Sequence, residues 1–101
     1  MSTVVVRYRP KAEQADENQC LVEAVFSELS DQDPGGLRYA TYRLADGTFV
    51  HIADIEGEDN PLSSSPAFAA FQANIGDRCE EGEGPNPQQA TLVGSYRLLA
   101  D

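Results

Sequence analysis

The chain holds one histidine, His51, in the run Thr48-Phe49-Val50-His51-Ile52. An imidazole can act as a general base near neutral pH, which makes His51 the candidate catalytic residue. It can equally be a hydrogen-bonded structural group, since no Ser, Cys or carboxylate stands at a recognisable spacing to complete a triad. Four tyrosines, Tyr8, Tyr39, Tyr42 and Tyr96, are spread along the chain. A phenol can hold a substrate oxygen; it can also pack its ring inside and keep its tip wet. Tyr8 and Tyr96 are taken as ligand-binding candidates. Phe71, Asn74 and Arg78 join them, because they lie on or beside one face of a helical repeat. Phe68 and Phe71 serve first as core and second as pocket wall. Arg78 could hold an anionic group or pair with Glu81. Arg7, Arg9, Arg43 and Arg97 are expected in cross-strand or intersubunit ion pairs.

Other chemistry finds little support. One His without a second ligand cluster makes no metal site. Gly82 and Gly84, with Glu81 and Glu83, match neither a phosphate loop nor a calcium loop. Cys20 and Cys79 form no Cys-x-x-Cys pair and are expected as small buried helix residues. No cofactor is expected. Seventeen acids against seven bases leave a net charge of −10, which repels a phosphate backbone and an anionic membrane surface. Neither nucleic acid nor membrane is an expected partner. No leader-like or membrane-spanning run is visible, which predicts a cytoplasmic protein.

These residues need elements to hold them, and 101 residues are expected to form one domain, 1–101. Thr3 to Arg9 is β-branched and stops at Pro10, a first strand. Lys11 to Ser30 reads as a helix with Leu21, Val22, Val25, Phe26 and Leu29 on one face. Asp31 to Gly36 is turn chemistry. Leu37 to Leu44 and Thr48 to Glu56 are strands joined by a tight turn at Asp46-Gly47. The second of them is apolar on both faces, so both faces of the sheet need cover. Gly57 to Ser64 is a polar loop that could act as a lid. Ser65-Pro66 starts a second helix, predicted to run to about Glu81. Gly82 to Pro87 is a loop, and Ala90 to Leu99 a fourth strand. The segment Ala40-Thr41-Tyr42-Arg43-Leu44 recurs as Gly94-Ser95-Tyr96-Arg97-Leu98, which suggests two β-α-β halves on one plan.

The order β-α-β-β-α-β predicts an α+β, ferredoxin-like fold: a four-stranded antiparallel sheet with two helices on one face. A second copy of the chain is the simplest cover for the other face, so a homodimer is expected.

Three stretches carry a family resemblance. They are Asp33-Pro34-Gly35-Gly36-Leu37-Arg38-Tyr39-Ala40-Thr41-Tyr42, the hairpin Ala45-Asp46-Gly47-Thr48-Phe49-Val50, and Ser65-Pro66-Ala67-Phe68-Ala69-Ala70-Phe71-Gln72. With the element order, the chain resembles the dimeric α+β barrel superfamily, in its antibiotic-biosynthesis-monooxygenase-like branch. The resemblance implies two sheets facing each other in a homodimer, with a small cavity between each sheet and its own helices. Some members oxidise aromatic polyketides or quinols with O₂ and no cofactor, and others degrade haem. Many members carry a Trp near the end of the third strand. Here that region reads Ala53-Asp54-Ile55-Glu56-Gly57, and the chain has no Trp. The helix His of the haem-degrading branch is absent as well. No catalytic residue is carried over.

Two functions follow as expectations. One is a cofactor-independent monooxygenase-like protein acting on a small aromatic or quinol-type molecule. The other is a non-catalytic dimeric module of the same fold that binds a small ligand or serves a structural role. An isomerase or decarboxylase-like relative, with His51 moving a proton, is a third. The face that His51 occupies discriminates them: toward the helices it can meet a ligand, toward a partner sheet it is structural.

Overall fold

A computed structural model describes residues 2–98. Four strands, β1 (Ser2–Tyr8), β2 (Leu37–Arg43), β3 (Phe49–Ile55) and β4 (Asn86–Ala90), form an antiparallel sheet in the order β2-β3-β1-β4. This is the ferredoxin-like order, with helices on one face. The helices are α1 (Ala15–Gln32), α2 (Pro66–Gln72) and α3 (Ile75–Arg78), with 3-10 turns at Ala12–Gln14 and Pro61–Ser64.

The period of two sorts each strand. Val6 and Tyr8 of β1, Phe49 and His51 of β3, and Tyr39 and Thr41 of β2 turn to the helices, as the register Tyr8↔Phe49, Val6↔His51 and Thr41↔His51 requires. Tyr8, Phe49, Val22, Val25, Leu62, Phe71 and Cys79 make the buried core. The apolar face read for the first helix holds: Val22 and Val25 are buried, and Leu21, Phe26 and Leu29 pack half-buried against them. That helix ends at Asp33, whose φ of 45° is the left-handed stop its turn sequence implies.

The start of α2 is fastened to α1. Ser65 Oγ accepts from the Phe68 amide at 3.0 Å and donates to the Glu28 carboxylate, which also accepts from the Ala67 amide at 3.2 Å. Two free amides at the helix start are satisfied, and a negative charge lies at its positive end. Ser65→Ala should lower the unfolding free energy by about 1–2 kcal/mol. An unchanged urea midpoint would show that the cap contributes nothing.

Three expectations need correcting. The second helix does not run to Glu81. It breaks at Asn74, which adopts φ 62°, a left-handed conformation that Asn tolerates better than most residues. Cys79 therefore lies beyond the helix, buried in a bridge to Pro10, while Cys20 is exposed on α1. The fourth strand is Asn86–Ala90, and the predicted strand from Ala90 does not continue beyond that residue as far as Leu98; Leu99 lies outside the described residues. Its Pro87 is tolerated because β4 is an edge strand. Ala90 pairs with Thr3, one residue from the end of β1, so the chain beyond it runs past the strand that could pair with it. Leu92, Val93, Tyr96 and Leu98 are consequently exposed. The repeated Tyr-Arg-Leu motif thus does not mark equivalent strands: Tyr42 and Arg43 of its first copy close β2, while its second copy lies outside the sheet.

The arginines also sort differently. Arg43 reaches Asp16 of α1 at 3.1 Å, Arg9 meets Glu83 at 3.9 Å, and Arg38 pairs with Glu56 at 3.5 Å. Arg97 lies outside the sheet, over the ring of Tyr96.

Candidate functional site

Strand β3 aims His51 at the helices. The ring is 5% exposed and sits among aromatic neighbours, with centroids 5.3 Å from Tyr8, 5.7 Å from Tyr39 and 5.2 Å from Phe71. Both ring nitrogens are engaged. Nε2 lies 2.7 Å from the Tyr8 hydroxyl; Nδ1 lies 2.5 Å from the Tyr39 hydroxyl and 3.1 Å from Thr41 Oγ1. Burial pushes the His51 pKa down to about 4, because a charged ring here would lose its hydration. The same burial raises Tyr39 to about 12 and Tyr8 further still. At neutral pH all three groups are uncharged.

A cleft of about 200 Å³ opens beside this cluster. Tyr8, Tyr39 and His51 supply its polar wall. Val4, Val6, Ala53 and Ile55 from the sheet, Phe68, Phe71 and Ile75 from the helical side, and Leu62 from the preceding turn make it mostly apolar. Of the segment read as a possible lid, Asn60 and Leu62 line the cleft, with Leu62 only 4% exposed.

Of the five ligand-binding candidates, Tyr8 and Phe71 line the cleft. Tyr96 is 80% exposed in the segment beyond the sheet. Asn74 is exposed at the helix break, in the position before α3, where its side chain makes no capping hydrogen bond. Arg78 is buried but faces neither the cleft nor Glu81. Its Nη1 donates to the Ala73 carbonyl at 2.9 Å, its Nη2 to the Phe71 carbonyl at 2.5 Å, and its Nε to Asn18 Oδ1 at 3.3 Å. The guanidinium thus closes the end of α2, where unpaired carbonyls concentrate negative charge.

Two site residues escaped the reading of the sequence. Asn18, fully buried, donates from Nδ2 to the Tyr8 hydroxyl at 2.9 Å. Its signal was a polar residue four before Val22 on an otherwise apolar stripe. Thr41 stands opposite His51 in the ladder, a relation visible only once the hairpin register is known.

With no charged base at neutral pH, the site can hold, orient and desolvate an aromatic molecule. Among the described residues no group of three His, Cys, Asp or Glu side chains could hold a metal ion, and no helix is long and apolar enough to cross a membrane.

Solved structures share this architecture across nearly the whole chain. A crystal structure of an antibiotic biosynthesis monooxygenase superposes with a TM-score of 0.69 at 19% identity, over 93% of this chain and all (100%) of that one. This chain has the antibiotic-biosynthesis-monooxygenase-like fold. The same fold extends to Rv0793 from Mycobacterium tuberculosis, at TM-score 0.72 and 18% identity, covering 93% of this chain and 96% of that one. It also extends to a candidate antibiotic biosynthesis monooxygenase from Nitrosomonas europaea, at TM-score 0.71 and 14% identity, covering 93% and 100%. No family model and no curated protein matches the sequence. At these identities the antibiotic-biosynthesis-monooxygenase-like fold is shared, and the chemistry has to be argued from the cleft.

Proposed function

We propose that this chain binds a small phenolic or quinol-type aromatic molecule in the cleft beside His51 and oxidises it with O₂ as a cofactor-independent monooxygenase. The observation that carries the reading is the convergence of His51, Tyr8 and Tyr39 on one wall of an otherwise apolar cleft. The volume of about 200 Å³ suits one or two rings. Cavities of roughly 150 Å³ already hold benzene, and those of drug-sized ligands start near 300 Å³.

Without a cofactor the organic molecule must supply every electron. For a hydroquinone, one ring C–H becomes C–OH, the quinol becomes a quinone, and the second oxygen atom leaves as water. The four electrons that O₂ takes all come from the ring. The protein's part is to hold the oxygen-bearing edge at the tyrosines, stack the ring among aromatic side chains and exclude water.

The chain is proposed to work as a homodimer. Val5, Val50, Ile52 and Ala40 lie on the sheet face away from the helices and are only half-buried. The exposed Leu92, Val93, Tyr96 and Leu98 add apolar surface for a second copy.

One observation favours a second reading, a non-catalytic binding module: both nitrogens of His51 are already bonded, and burial lowers its pKa to about 4, which makes it a weak base. Oxygen-electrode traces with one- and two-ring hydroquinones, beside calorimetric binding, separate the two. The proposal expects protein-dependent oxygen uptake that saturates with quinol. Binding without uptake leaves the module, and no binding sinks both.

A further inference from the structure

The buried polar groups behind the cleft form a chain with a direction. A guanidinium only donates, so Arg78 Nε fixes Asn18 with its Oδ1 toward Arg78. Asn18 Nδ2 must then face Tyr8 and donate to its hydroxyl oxygen. Three contacts lead on from Asn18 through Tyr8 and His51 to Tyr39. Four hydrogens are available for them: one from the Asn18 amide, one from each phenol and one from the neutral ring. One hydroxyl hydrogen is left over.

Its position follows from burial. Tyr8 is 3% exposed, and its oxygen already accepts from Asn18, so its hydrogen is spent on His51 Nε2. The ring N–H then sits on Nδ1, with the Tyr39 oxygen at 2.5 Å and Thr41 Oγ1 at 3.1 Å both placed to accept from it. Tyr39, half-buried on the cleft wall, keeps its own hydrogen.

We infer that Arg78 and Asn18 orient this chain so that Tyr39 presents an O–H donor to the cleft, which selects aromatic ligands bearing an acceptor oxygen, a carbonyl or phenolate. The selectivity rests on reading the cleft as a ligand site; the orientation of the chain does not.

The first test therefore uses the ligand-free protein. With one histidine, imidazole-labelled protein gives a single long-range ¹⁵N–¹H pattern at pH 8, expected to be that of the Nδ1–H form. An Nε2–H pattern overturns the inference. Asn18→Asp offers a reversal. A carboxylate accepts from Arg78 and from Tyr8, so Tyr8 turns round, the ring shifts to Nε2–H and Tyr39 donates to Nδ1. Three hydrogens then serve three contacts, and the cleft loses its donor although no cleft residue has changed.

The second test titrates acetophenone and ethylbenzene, which differ by the carbonyl oxygen, into wild type, Tyr39→Phe and Asn18→Asp. Wild type should prefer acetophenone about tenfold, and both variants should lose that preference while still binding ethylbenzene. Equal binding of the two probes by wild type overturns the selectivity. If neither probe binds, the ligand-site reading fails, and the tautomer still judges the chain of donors on its own.

Discussion

Between pH 7.5 and pH 4.5 His51 alone should remove roughly 2–3 kcal/mol from the stability of the fold. Its pKa falls from 6.5 in the unfolded chain to about 4 in the folded protein, because burial disfavours the charged ring. Above pH 6.5 neither state binds a proton at this site, and the full stability is present. As pH falls below 6.5 the unfolded chain takes up a proton that the folded protein refuses, so unfolding becomes easier. The loss grows down to about pH 4, where the folded ring protonates too, and then levels off. The geometry agrees, since a protonated ring would bring a further hydrogen into contacts that already hold one more than they use. Urea titrations of wild type and His51→Gln across this range isolate the effect, because carboxylate contributions are common to both. Parallel pH profiles would refute it, as would an NMR titration placing the His51 pKa above 6.

Replacing Arg78 with Met should lower the unfolding free energy by about 3–5 kcal/mol, a large share of what a domain of this size possesses. The side chain is 6% exposed and makes hydrogen bonds to two backbone carbonyls and to Asn18. Met fills the space but leaves two buried acceptors, the Phe71 carbonyl and Asn18 Oδ1, and the part-buried Ala73 carbonyl without donors. Arg78→Lys keeps the charge with a single point of donation, and should fall between wild type and the Met variant. The unfolding midpoints rank the three proteins. A loss under 1 kcal/mol for the Met variant would mean that the carbonyls find other partners and that the buried guanidinium is not what closes the helix.

Much of the architecture was legible because it is local. The β-branched run in β1, the apolar stripe of α1, the Asp46-Gly47 turn and the Ser65-Pro66 start each announce themselves within a few residues. The failures are places where a distant group overrode the local preference. A helical repeat continues through Asn74, but Arg78 folds back onto the Phe71 and Ala73 carbonyls, and the helix stops. Ala90 to Leu98 has strand-like residues, but pairing to β1 ends at Thr3. Gly82 to Pro87 looks too rich in breakers for a strand, and only the edge position of β4 makes Pro87 acceptable.

The site divides along the same line. Residue types and spacing were enough to single out His51, Tyr8 and Phe71 as candidates, all three of which line the cleft, and to put strands and helices in the ferredoxin-like order. They could not say which way His51 points, because β3 is apolar on both sides and a one-residue shift in register exchanges its faces. Pairing of Thr41 and Val6 with His51 decided that. Nor could they join Arg78 to Asn18 across 60 residues of chain, or spend the guanidinium on backbone carbonyls instead of a ligand. Periodicity is a property of neighbours in the chain. The direction of a buried hydrogen-bond chain belongs to groups that meet only when helix and sheet close on one another.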